Sequence, residues 1–121
     1  LKQRHIPMAI ATSSHREDIL PTFHKLGLDE YIDVIVGRED VSNVKPDPEP
    51  YLTALQQLNY NPTHCLAIED SVNGATAANL AGLDVIVNTN VMTEEQDFTS
   101  VNYIAKDIDF DDIMQRFFEV K

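Results

Sequence analysis

Four short apolar runs, each closed by polar or small residues and separated by amphipathic stretches, constrain this chain more than any other feature. Met8-Ala9-Ile10-Ala11 ends in Thr12-Ser13-Ser14, and Asp33-Val34-Ile35-Val36 ends at Gly37. Cys65-Leu66-Ala67-Ile68 ends in Glu69-Asp70, and Asp84-Val85-Ile86-Val87 ends in Asn88-Thr89-Asn90. Continuous apolar runs of this length predict strands buried on both faces, the habit of a parallel sheet. Tyr103-Ile104-Ala105 is a weaker fifth candidate.

The intervening stretches predict helices. Ser14 and Glu17 have capping-box spacing, Ile19, Phe23 and Leu26 follow at helical intervals, and Gly27 suits the carboxyl cap. Pro21 predicts a kink or a later start. Asp47-Pro48 reads as an N-cap followed by Pro in the first turn, with Tyr51, Leu52, Leu55 and Leu58 as the apolar face. Residues 72–81 are Ala-rich and end at Gly82, so their helix approaches the sheet closely. Asp109 would cap a last helix with Phe110, Ile113, Met114 and Phe117 on one face. Regular strand–helix alternation implies an α/β, doubly wound parallel sheet with right-handed crossovers. In such sheets ligands bind at the carboxyl ends of the strands.

Composition narrows the partners. Against 9 Lys and Arg stand 20 Asp and Glu, a net charge of −11. That balance argues against a nucleic-acid partner and against an anionic membrane surface. No secretory signal or membrane-length apolar run is present, and the one cysteine, Cys65, reads as a buried thiol of a reducing, cytoplasmic compartment. With so few cations, any Lys or Arg in a strand-end loop matters for phosphate chemistry.

Three groups of residues sit where such a sheet presents its ligands. The hydroxyl of Thr12, with the backbone N–H groups of Ser13 and Ser14 opening a helix, can hold phosphate oxygens. Lys45 can supply a point positive charge. Glu69 and Asp70 are hard oxygen donors suited to Mg²⁺. Each has a structural alternative: a strand-end hydroxyl bonded to backbone for Thr12, a solvated loop lysine for Lys45, a helix N-cap for Asp70. His5, His24 and His64 show no ligand spacing and read as surface residues.

Together, Ala11-Thr12-Ser13-Ser14, Lys45-Pro46-Asp47-Pro48-Glu49-Pro50-Tyr51 and Ile68-Glu69-Asp70-Ser71-Val72-Asn73-Gly74 resemble motifs two to four of the haloacid dehalogenase (HAD) superfamily, in the variant of its β-phosphoglucomutase-like subfamily. The resemblance implies a HAD-like Rossmannoid fold and a hydrolase, a phosphatase of small phosphorylated metabolites such as sugar phosphates. It implies that Thr12 binds the phosphoryl group, that Lys45 bridges it to the nucleophile, and that Asp70 and Glu69 hold Mg²⁺. Ser14, His15 and Arg16 would contact the leaving group or a second phosphate.

The resemblance also implies a gap. The superfamily's first motif, Asp-x-Asp-Gly-Thr on the central strand, has no counterpart before Thr12, and the cap domain is absent too. Asp107-Ile108-Asp109 lacks the following Gly-Thr. Residues 1–121 therefore read as the C-terminal portion of a HAD-like core domain, with Leu1 to Pro7 as the tail of the helix leading out of the cap. Losing three or four buried strand residues removes about 5–10 kcal/mol, comparable to a domain's net stability. Three remedies are expected: an N-terminal segment outside this sequence, direct pairing of the Thr12 and Asp70 strands, or a strand-swapped dimer. The chain alone would be inactive. Alternatives are a β-phosphoglucomutase-type mutase, a non-catalytic phosphate-binding module, and a receiver-type signalling domain with Asp70 as acceptor.

Overall fold

The computed structural model describes residues 6–28 and 31–109. Its strands are β1 (Ala9–Ala11), β2 (Val34–Val36), β3 (Leu66–Glu69), β4 (Asp84–Val87) and β5 (Ala105–Lys106). Its α-helices are α1 (Arg16–Lys25), α2 (Glu49–Leu58) and α3 (Val72–Leu80), with 3₁₀ turns at Arg38–Asp40 and Pro62–His64. The four main strands fall on the four apolar runs. The fifth begins at Ala105, two residues later than Tyr103. The expected last helix and residues 1–5 lie outside the described residues. No helix among the described residues is long and apolar enough to cross a membrane.

All strand pairs are parallel, but the strands form two sheets. β1 pairs with β2, Ile10 opposite Ile35, while β3, β4 and β5 form a separate sheet with Ile68 opposite Ile86 and Ile86 opposite Ala105. Direct pairing of β1 with β3, one of the three expected remedies, does not occur among the described residues. A groove of about 590 Å³ lies between them instead.

The sheets differ in how they are packed. β4 carries Val85, Ile86 and Val87, all essentially inaccessible. Over it lies α3, whose Ala75, Ala77 and Ala78 are fully buried. Small side chains bring the helix close, as expected, and Leu55, Leu83, Phe98 and Val101 complete that cluster. The β1–β2 sheet contributes a smaller cluster of Val36, Val41 and Ala54.

Helix ends explain the departures from the sequence reading. α1 starts at Arg16 rather than beside Ser14, and no side chain of His15 caps it. The Glu39 carboxylate does so from the 3₁₀ turn, accepting from the Arg16 N–H at 3.1 Å. Pro21 lies within the helix, and Gly27 follows it in the left-handed region (φ 69°). In α2, Asp47 Oδ1 accepts from Glu49 N at 2.9 Å, but the helix opens one residue later than expected, with Pro48 rather than Asp47 at its N-cap. Its buried face is Pro50, Ala54 and Leu55, whereas Leu52 is 47% exposed. Ser71, not Asp70, caps α3, its hydroxyl accepting from Gly74 N at 3.1 Å. Gly82 terminates that helix at φ 88°.

Candidate active site

The site forms where β1 and β3 end at the groove. Thr12, Lys45, Tyr51 and Glu69 all line it. Thr12 is the first residue after β1, and its N–H donates to Val36 O at 2.9 Å, tying the strand end to β2. Its Oγ1 accepts from Ser14 N at 3.1 Å. This is the strand-end role open to any threonine here, yet it leaves the hydroxyl proton directed elsewhere.

Of the two N–H groups expected to cradle an anion, that of Ser14 is engaged within the chain. The Ser14 N–H is spent on Thr12, and α1 opens two residues later, where the Glu39 carboxylate already occupies its amino end. Hydrogen bonds from backbone N–H groups, including that of Arg16, hold the Glu39 carboxyl below the usual range. Arg16 is turned to the same acidic turn. Its guanidinium lies 3.8 Å from Glu39 and 3.4 Å from Asp40. His15 is exposed.

Lys45 and Glu69 meet as a buried ion pair, Nζ to Oε2 at 2.6 Å. Glu69 is only 8% exposed. A carboxylate at such depth requires donors on its oxygens. Lys45 is one, and the Tyr51 hydroxyl donates to the same Oε2. The Lys45 ammonium also sits 5.1 Å from the centroid of the Tyr51 ring, within cation–π range. Burial, reinforced by the Glu69 and Asp70 charges, pushes the Tyr51 hydroxyl far above the ordinary tyrosine value, so it remains a donor. The other carboxylate oxygen presses on the first turn of α3. A Cβ on Gly74 would overlap it. That close approach explains the glycine in the third position after Ser71.

Asp70 faces outward. Asn90 Nδ2 donates to its Oδ2 at 2.8 Å, leaving Oδ1 without a protein partner among the described residues. Glu69 and Asp70 are the two acids the strand end offers. No group of three or more His, Cys, Asp or Glu able to hold a metal occurs among the described residues. Mg²⁺ commonly takes one or two carboxylates and keeps several waters, so an outward Asp70 beside Glu69 fits part of its shell.

The structure thus gathers Thr12, Lys45, Glu69 and, next to it, Asp70, and turns Arg16 to its acidic neighbours. Tyr51 and Asn90 escaped the sequence reading in these roles. Tyr51 read as one more apolar position of α2, and only its place in a Lys-Pro-x-Pro segment could have flagged it. Nothing local to Glu39 marks it as a helix cap. Cys65, beside the groove, has its thiol pushed up by burial.

With this geometry in view, the similarities to known proteins are specific. A family model described as haloacid dehalogenase-like hydrolase matches residues 1–88. A phosphorylated carbohydrates phosphatase of Thermotoga maritima is 41% identical over 71% of the chain and 40% of its own length. A fructose-1-phosphate phosphatase of Escherichia coli is 35% identical over 66% of the chain and 43% of its own length. The crystal structure of CbbY from Rhodobacter sphaeroides in complex with phosphate superposes with a TM-score of 0.81 at 31% identity. It covers 87% of this chain and 47% of that one. The chain spans less than half the length of these relatives.

Proposed function

This chain belongs to the haloacid dehalogenase-like hydrolases, and from that premise we propose that it supplies the phosphate- and metal-binding half of a Mg²⁺-dependent phosphatase of small phosphorylated metabolites such as sugar phosphates. One observation carries the reading. The Lys45 ammonium and the Thr12 hydroxyl line one groove, and the outward Asp70 carboxylate follows the β3 residue, Glu69, that lines it. Relatives named as phosphatases of phosphorylated carbohydrates and of fructose 1-phosphate support the substrate class. The phosphate bound to CbbY supports an anion site on this fold.

Each residue has a defined task. The Thr12 hydroxyl donates to a phosphoryl oxygen while it accepts from Ser14. Lys45, held by Glu69 and by the Tyr51 ring, places positive charge against the transferring group. At about 4 Å and an effective dielectric near 20, each unit-charge pair contributes roughly 4 kcal/mol. Asp70, oriented by Asn90 and with its Oδ1 open, would hold Mg²⁺, which neutralises phosphoryl charge when bound, while Glu69, engaged by Lys45, Tyr51 and the first turn of α3, sits beside it. Among the described residues Glu69 is the one carboxylate lining the groove, and it is engaged by Lys45 and Tyr51, so the nucleophile of this reading is not one of the described groove residues.

The test is hydrolysis of p-nitrophenyl phosphate by the longer protein containing this chain. Turnover is expected with Mg²⁺, to vanish with EDTA, and to fall at least ~100-fold in Lys45→Ala and Asp70→Asn. Undiminished rates in both variants would overturn the assignment. The chain of 121 residues is expected to show no turnover.

A further inference from the structure

We propose that Asn90 makes the site selective for Mg²⁺ over Ca²⁺, by occupying one oxygen of Asp70 and so limiting this carboxylate to a single bond with a metal. Mg²⁺ itself enters through the phosphatase reading above, on which this rests; the selectivity comes from the chain's own residues. The two ions ask different things of a carboxylate. Ca²⁺ collects about six to eight oxygens in a flexible shell and accepts both oxygens of one group. Mg²⁺ demands a near-ideal octahedron of about 2.1 Å radius, whose adjacent corners lie about 3 Å apart, wider than the bite of one carboxylate. A site that offers only single oxygens therefore costs Ca²⁺ ligands and costs Mg²⁺ none.

β3 and β4 run side by side with Glu69 opposite Val87, so the chain beyond β4 passes Asp70. There Asn90 Nδ2 donates to Asp70 Oδ2 at 2.8 Å. Both residues are exposed to solvent, but the amide is held from its other end. Its Oδ1 accepts from Met92 N at 2.8 Å, which turns the oxygen inward to the turn and the NH₂ to the carboxylate. The Asn90 N–H donates to Thr93 Oγ1 at 3.0 Å, and Asn90 O accepts from the N–H groups of Thr93 and Glu94. Thr93 is buried beneath the turn. Further along, Gln96 Oε1 accepts from Val72 N at 2.9 Å. Residues 90–96 are thus strapped to the Asp70 loop at both ends, and Asn90 cannot swing away without breaking these bonds.

Glu69 offers no second pair of oxygens. Lys45 and Tyr51 hold its Oε2, and its Oε1 lies against the first turn of α3, where a Cβ on Gly74 would meet it. Between them the two acids leave one outward oxygen without a partner among the described residues, Asp70 Oδ1. An amide suits the task because it spends an oxygen without adding charge or a strong ligand. A carboxylate at position 90 would supply the extra oxygens that Ca²⁺ uses.

The longer protein containing this chain is titrated with Mg²⁺ alone or Ca²⁺ alone, followed by the amide NMR shift of Asp70. Asn90→Ser keeps an oxygen for the Met92 N–H and loses the donor to Asp70. Its ratio of Ca²⁺ to Mg²⁺ affinity is expected to rise at least ~10-fold. Asn90→Ala, which also frees the turn, should move the ratio in the same direction. Thr93→Ala, which leaves the amide in place on a looser turn, should raise it by less. A partner that merely orients Asp70 would, when removed, weaken both ions alike. A ratio unchanged in both Asn90→Ser and Asn90→Ala, with Mg²⁺ still bound by the unaltered protein, would overturn the proposal alone. Absence of Mg²⁺ binding by the unaltered protein would overturn the phosphatase reading and the proposal with it.

Discussion

The two half-sheets are built to different standards. Around β4, three successive side chains are buried, α3 packs in with alanines, and the core cluster extends to Phe98 and Val101. Around β1 and β2 only Val36 is buried within the strands, and β1 is half-buried throughout. The β3–β4–β5 sheet has its central strand, β4, fully packed. The β1–β2 sheet is a two-stranded ribbon that depends on α2 for cover, and such ribbons are marginal alone. The side of the molecule holding Glu69 and Asp70 is thus the better packed, and the side presenting Thr12 depends on α2 for its cover.

The largest effects should expose this difference. Ile86→Ala is expected to cost about 2–5 kcal/mol, measured by chemical denaturation, and to unfold the whole chain. Val36→Ala should cost about 1.5 kcal/mol, and amide exchange should then show β1 and β2 opening before β3 and β4. Equal exchange of the two sheets in the unaltered protein would break the comparison.

Next come the buried polar groups that tie α2 to β3. Lys45→Met should cost about 3 kcal/mol, because it leaves the Glu69 carboxylate buried with a single donor. Tyr51→Phe should cost about half as much, since the ammonium and the ring contact remain. A Tyr51→Phe loss as large as that of Lys45→Met would show that the hydroxyl, not the ion pair, holds Glu69.

Gly74→Ala sharpens the same point from the helix side. Alanine is favoured over glycine in helices by about 1 kcal/mol. Here the added methyl would collide with Glu69, so thermal denaturation should instead show a loss of about 2 kcal/mol. Ser71→Ala, which removes the cap of α3, should cost about 1 kcal/mol.

The smallest effect is a pH dependence on the β1–β2 side. The carboxyl of Glu39 titrates below its usual 4.5 in the folded chain. A lowered value favours the charged form, so its cap on α1 is fully effective above about 4.5 and is lost as pH falls through the lower, folded value. Exchange of the Arg16 amide should accelerate in that acid window, and Glu39→Gln should remove the dependence.

How far the sequence reached depends on whether a property is local. Runs of three or four apolar residues placed β1 to β4 to within a residue, but the burial on both faces expected of them is met only in β4, because β1 stays half-buried and Ile68 of β3 is exposed. Gly27 and Gly82 marked helix ends because the left-handed region they occupy is costly for other residues. Ser14 failed as a cap because a carboxylate 23 residues beyond Arg16, on Glu39, reached the helix amino end first. Leu52 failed as a core residue because one helix face cannot be read to a single position by spacing alone.

The sequence by itself determined the alternation of strands and helices, the strand ends that carry Thr12 and Glu69-Asp70, and the acidity that makes Lys45 conspicuous. These follow from periodicity, composition and backbone preference, which act over a few residues. Only the tertiary structure decided that Lys45 and Tyr51 converge on one oxygen of Glu69, that Arg16 is held by Glu39 and Asp40, and that β1 and β3 stand apart across a groove. Those outcomes depend on groups far apart in the chain competing for the same buried donors, acceptors and sheet edges. That competition is resolved only when the elements pack.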